Sequence, residues 1–107
     1  MKILFKEPGK QPRTMVVPNE LGVLQQLVDG YIEHIKIKDG IGLIVNEEGK
    51  LNGMESNFYL WKIRDMIHGP AIFLGEDGED FTDISCDDME TVKLLFDYAT
   101  DLEVAHG

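Results

Sequence analysis

Apolar residues in this chain come in short runs, and the longest, such as Ile41–Val45 and Pro70–Leu74, are about five residues. That length suits a buried strand and falls far short of the roughly 20 residues that a membrane-crossing helix needs. Each run is bounded by turn-forming residues, so the expected fold is built from short strands and a few helices. With 107 residues there is room for one domain spanning 1–107, whose core can be as small as one layer of helices on one sheet. The 43% hydrophobic and 28% charged content places it with globular rather than disordered chains. Residues 1–17 carry Lys2, Lys6, Glu7, Lys10 and Arg13 among their apolar positions, which is unlike a signal peptide.

Reading along the chain gives the order of elements. Lys2–Lys6 alternates apolar and charged residues, Glu7–Pro12 reads as a turn, and Arg13–Val17 as the second strand of a hairpin. Asn19 is the expected N-cap of a helix carrying Leu21, Leu24, Leu27 and Val28, with Gly30 as its left-handed terminator. Tyr31–Ile37 and Ile41–Val45 are β-rich and flank Lys38-Asp39-Gly40, an Asp-Gly hairpin signal. Pro70–Leu74 reads as a buried strand. Ser85-Cys-Asp-Asp opens a last helix, with Met89, Val92, Phe96 and Ala99 as its buried stripe. Between them, Asn46–Met54 is rich in turn formers, and Phe58 to Ile67 fits no single period. The expectation there is a loop followed by a short helix. The fold class is α+β, a mainly antiparallel sheet of about five strands with two packed helices.

Charge is unevenly placed. Residues 1–75 balance nine bases against nine acids, whereas residues 76–107 hold eleven acids and only Lys93, and thus the whole net charge of −10. An acidic third of this kind disfavours direct binding of duplex nucleic acid, which needs clustered Lys and Arg. The lone Cys86 excludes an internal disulfide and a Cys-rich zinc site. Asp83, Asp87 and Asp88 around it would oppose a thiolate, so it does not read as a nucleophile.

Gly30-Tyr-Ile-Glu, then Asn-Glu-Glu-Gly-Lys-Leu-Asn-Gly (46–53) with Asn57 beyond, Gly69-Pro-Ala-Ile-Phe-Leu-Gly and Glu79-Asp-Phe-Thr-Asp-Ile-Ser resemble one family. This is DUF3846, a domain of unknown function carried by bacteria, phages and mobile elements. The resemblance covers about residues 2–98, and its most specific part is 46–57. The chain departs from the family pattern at Met54-Glu55-Ser56, where prolines are common, and has Phe58 where an arginine is common. The resemblance implies a compact domain in a phage or mobile-element setting, hence the cytoplasm of a bacterial host, and supplies no reaction.

Catalytic constellations are not found in the residues. His34, His68 and His106 lie far apart without metal-ligand spacing, and no phosphate-binding glycine loop or nucleophile elbow is present. His106, at the terminus, reads as disordered. Glu76-Asp-Gly-Glu-Asp lacks the alternating carboxylates of a calcium loop and reads as an acidic turn. The expectation is a non-enzymatic binding protein without a cofactor. One reading is a phage protein that sequesters a nucleotide-like immune signal. Asn46, Asn52 and Asn57 would supply hydrogen bonds, Tyr59 or Trp61 a stacking face, and Lys50, Arg64 or Arg13 the phosphate contact. The alternative is an acidic inhibitor that imitates DNA or docks on a basic host factor through Glu76, Asp77, Glu79, Asp80, Asp83, Asp87, Asp88 and Glu90. A third reading has Glu47 and Glu48 act with a metal near His68. Open sheet edges lead to the further expectation of a homodimer.

Overall fold

Every residue of Ile41–Asn46 and the first five of Ala71–Asp77 are buried, so these two strands form the middle of the molecule. A strand covered on both faces reads as a continuous apolar run, which is what 41–45 and 70–74 show. The computed structural model describes residues 1–106, with side chains described through residue 96.

In chain order the elements are β1 (Lys2–Lys6), β2 (Arg13–Val16), α1 (Leu21–Val28), β3 (Ile32–Lys38) and β4 (Ile41–Asn46). They continue with β5 (Ser56–Leu60), β6 (Asp65–His68), β7 (Ala71–Asp77), β8 (Asp80–Thr82) and α2 (Cys86–His106). The main sheet runs β2-β1-β7-β4-β3, and short β8 pairs the second half of β7. All of its pairings are antiparallel. The five expected strands are therefore present. β8 is a sixth, polar and only three residues long, within what reads from sequence as an acidic turn and its flank.

The sheet has helices on both faces rather than one helical layer. Ile3, Phe5, Ile44, Ile72 and Leu74 point to α1, where Leu24 and Val28 cover them. Leu4, Leu43, Val45 and Phe73 point the other way, to Val92, Met89 and Phe96 of α2 and to Ile67, Phe58 and Leu60 of the β5–β6 hairpin. Burying an aliphatic or Phe side chain contributes about 1.5–3 kcal/mol, so the two cores together carry most of the folding drive.

The helix ends depart in detail from expectation. Asn19 does not cap α1, because its side-chain amide donates to the Phe81 carbonyl at 3.0 Å. The N-cap is Glu20, without a side-chain bond. The left-handed residue at the C-terminus is Asp29 (φ 60°), not Gly30, and the Asp29 and Gly30 amides bond Gln26 and Gln25 carbonyls. Gly30 is needed for another reason: a Cβ there would stand 2.6 Å from the Asn46 amide nitrogen. Ser85 caps α2 as expected, its Oγ accepting from the Asp88 amide at 3.1 Å. The side chains of Ala99 and His106 lie outside the described residues.

The loop and short helix expected over 46–69 are replaced by a tight turn and the antiparallel hairpin β5–β6, a second sheet of its own. Phe58 and Leu60 face inward and Tyr59 outward, a strand alternation too short to recognise beside the helix-like spacing of Leu60, Ile63 and Ile67. Among the described residues no helix is long and apolar enough to cross a membrane.

Candidate functional site

Two asparagines of the 46–57 segment build the platform for the hairpin. Asn46 is buried, and its amide donates to the Val28 and Asp29 carbonyls at 3.0 and 3.1 Å. Its Oδ1 accepts from the Glu48 amide at 2.8 Å. One side chain thus satisfies the C-terminal end of α1 and starts the turn that leaves β4. In that turn Gly49 passes so close to the hairpin that a Cβ would lie 2.4 Å from the His68 carbonyl oxygen.

Asn57 ties β5 to the main sheet. Its amide donates to the carbonyls of Lys6 and Gly69, each at 2.8 Å, and its Oδ1 accepts from Lys6 Nζ at 2.8 Å. The Phe58 ring stacks on Phe73 with centroids 5.9 Å apart and meets Phe96 edge-on at 5.0 Å. His68 donates from Nδ1 to the Met54 carbonyl at 3.0 Å, holding the far end of the hairpin to the turn.

With its inner face docked, the hairpin presents its outer face to solvent. Trp61 is 80% exposed, Tyr59 43% and Met66, the cross-strand partner of Tyr59, 37%. Tyr59 and Trp61 meet edge to face, centroids 4.9 Å apart at 75°. The turn that follows carries Lys62 and Arg64, and Lys50 reaches Asp65 from the turn after β4. Lys62 donates to the Ile37 carbonyl at 3.1 Å and Lys50 to Asp65 Oδ1 at 2.6 Å. Arg64 has no hydrogen-bond or ion-pair partner among the described residues, and it holds a left-handed backbone (φ 52°). Lys50 and the Met66 amide, by hydrogen bonds to the Asp65 carboxylate, hold its pKa below the ordinary 3.8.

Below this face, Glu33, Glu47, Lys50, Asp65, Met66 and His68 line an open cleft of about 120 Å³. Pockets that enclose a drug-sized ligand run to about 300–1,000 Å³, so this one is too small for a nucleotide. Three of its side chains are carboxylates against one lysine, which also makes it a poor phosphate site. Among the described residues no group of three or more His, Cys, Asp or Glu is placed to hold a metal ion.

The residues singled out from sequence therefore divide. Tyr59, Trp61 and Arg64 share the hairpin and its turn, and Lys50 stands at its edge. Asn52 is exposed in the turn below. Asn46 and Asn57 each spend both amide N–H groups and one Oδ1 lone pair on hydrogen bonds within the protein. Arg13 pairs with Phe5 across β1–β2 and lies over its ring at 5.5 Å, on the α1 side of the sheet and away from the hairpin. Sequence reasoning passed over Met66 and the short polar pair of His34 with Glu76. His34 Nε2 and Glu76 Oε2 are hydrogen-bonded, and Oε1 of the mostly buried Glu76 has no described partner.

The model of the domain of unknown function DUF3846 matches residues 1–97 of the chain. No curated protein and no solved structure matches it.

Proposed function

The chain belongs to the DUF3846 family, and we propose that it is a non-enzymatic binding protein that takes a nucleotide-like ligand on the outer face of the β5–β6 hairpin. The observation that carries this reading is the exposed Tyr59–Trp61 pair beside Arg64, which has no hydrogen-bond or ion-pair partner among the described residues. An aromatic face stacks any base, and a guanidinium with no internal partner can take a phosphate in bidentate fashion. Lys50 and Lys62 add charge at the edge, although each is already engaged within the protein.

The magnitudes set the kind of binding. One stacked base contributes about 1–3 kcal/mol and one charge-assisted contact about 1.5–3 kcal/mol, a total near 4 kcal/mol and a Kd of about 1 mM. In the phage or mobile-element setting that the resemblance implies, sequestration of an immune signal would then depend on abundant protein. Equilibrium dialysis against adenosine monophosphate tests the reading. Trp61→Ala and Arg64→Gly should each weaken binding by about tenfold, as loss of one stacking or charged contact requires. Equal binding by both variants and the parent would refute it.

A second reading keeps the acidic surface as a dock for a basic protein. Asp77, Glu79, Asp80, Asp87 and Glu90 are exposed and have no ion pair among the described residues, whereas Asp88 pairs with Lys38 and Asp83 accepts the Lys2 amide. Reversing Asp77, Asp80 and Asp87 to Lys would abolish such docking and leave nucleotide binding unchanged.

A further inference from the structure

Four of the ten large hydrophobic side chains exposed among the described residues, Tyr59, Trp61, Ile63 and Met66, fall between residues 59 and 66. Tyr59 and Met66 are cross-strand partners and so share one side of the hairpin, Trp61 meets Tyr59 edge to face, and Ile63 joins Met66 at the cleft. Single exposed apolar side chains are ordinary, but a cluster rich in Trp, Tyr and Met and bordered by charge marks a contact surface. Charge says what can meet it. Residues 50–66 hold three bases, Lys50, Lys62 and Arg64, less two acids, Glu55 and Asp65, a sum of +1 in a chain whose net charge is −10. Two copies can touch at this patch without adding like charge. The edges of the main sheet, β2 and β3, are poorer contacts. β2 is four residues long with Pro12 and Pro18 at its flanks. β3 carries a bulge between Lys36 and Lys38, and Lys62 occupies the Ile37 carbonyl. Short strands, prolines, bulges and lysines are the usual means by which an edge avoids pairing.

We infer that a second copy of this chain docks on the outer face of the hairpin, patch against patch, in a closed pair. The contact is small. Two short strands and their turn bury a total below about 1,200 Å², the range of weak and transient pairs, so the Kd should be on the order of 100 µM. The rest of the molecule sets its salt dependence. Copies of net charge −10, with Glu33 and Glu47 at the cleft, repel one another, and salt screens that repulsion while leaving apolar burial intact. Association should therefore tighten as salt rises. The pair covers the Trp61 face that the nucleotide reading uses, so the association is measured without nucleotide.

Sedimentation equilibrium of the full chain from about 10 µM to about 1 mM, at low and at near-physiological salt, tests the pair. The expected result is a 12.1 kDa monomer in equilibrium with its dimer, with the dimer several-fold tighter at the higher salt. Met66→Glu sets a carboxylate into the contact from both copies, and Trp61→Ser removes its largest apolar side chain. Each should weaken the dimer by about tenfold or more. Both side chains are exposed, so circular dichroism should show the parent fold in each variant. Val16→Glu, on exposed β2, adds the same charge away from the hairpin and should leave the dimer within about twofold. A monomer alone at about 1 mM overturns the inference, and so does a dimer indifferent to both Met66→Glu and Trp61→Ser. An open series of larger species that salt dissolves also overturns it, since hairpin cations would then be bound to the acidic third of the next copy. Each of these results leaves the nucleotide reading standing, because dialysis against adenosine monophosphate decides that separately.

Discussion

Replacing Asn57 by alanine should destabilise the fold rather than empty a ligand site. The side chain makes three hydrogen bonds at 2.8 Å, two to the Lys6 and Gly69 carbonyls and one from Lys6 Nζ. Lys6 and Gly69 are both buried, so water cannot replace the lost amide freely. Two neutral bonds at about 1 kcal/mol each and one charged bond at about 1.5 kcal/mol give a loss near 3.5 kcal/mol. A domain of this size has about 5–15 kcal/mol in total, and 1 kcal/mol corresponds to roughly 4 °C in Tm, so the variant should melt about 14 °C lower. Asn57→Asp is the informative companion. It would keep an acceptor for the Lys6 ammonium but set a carboxylate oxygen against two carbonyls, so it should be no more stable than the alanine variant. Thermal melts followed by circular dichroism measure both. A Tm within 3 °C of the parent, coupled to loss of nucleotide binding, would refute the scaffolding role.

The remaining expectations concern the same region. Lys50→Met removes the first cause of the lowered Asp65 pKa, so that carboxyl should titrate upward toward 3.8 by carbonyl NMR. The sign follows from the depression: Asp65 favours the fold fully above 3.8, and that contribution fades as pH falls through its folded value. Gly49→Ala forces the turn away from the His68 carbonyl and should cost about 1–3 kcal/mol as overpacking, visible as a lower urea midpoint with unchanged slope. Arg64→Gly relieves a left-handed arginine, so its Tm should hold or rise while its ligand affinity falls. The homodimer expected from open sheet edges is checked by light scattering, where one species of 12.1 kDa at micromolar concentration would exclude it.

What could be read in the sequence was local chemistry. The Asp39-Gly40 turn, the apolar runs of β4 and β7 and the Ser85 cap each announce their structure within a few residues, and each is present. The β5–β6 hairpin gave no such notice. Its turn, Trp61 to Arg64, contains no glycine or asparagine, and the left-handed position is filled by Arg64. β8 was hidden by its polar composition, since pairing with β7 rather than burial makes it a strand. Asn46 and Asn57 have partners distant in the chain, which the sequence does not show. Asn46 reaches back 17 and 18 residues to the end of α1, and Asn57 reaches 51 residues to Lys6. Residue type marks such side chains as hydrogen-bonding, but only the fold says with what. Tyr59, Trp61 and Arg64 were found from sequence as ligand candidates for their chemistry, and the hairpin supplies the reason that they lie together.

The most direct measurement is the NMR signal of the Trp61 indole N–H, the only indole in the protein, titrated with adenosine monophosphate. The account predicts a shift that saturates near millimolar ligand, accompanied by the Met66 methyl and Tyr59 ring signals, while the Asn46 and Asn57 side-chain amides stay in place. An indole signal that does not move, with perturbation centred instead on Asp77 to Asp80, would contradict it.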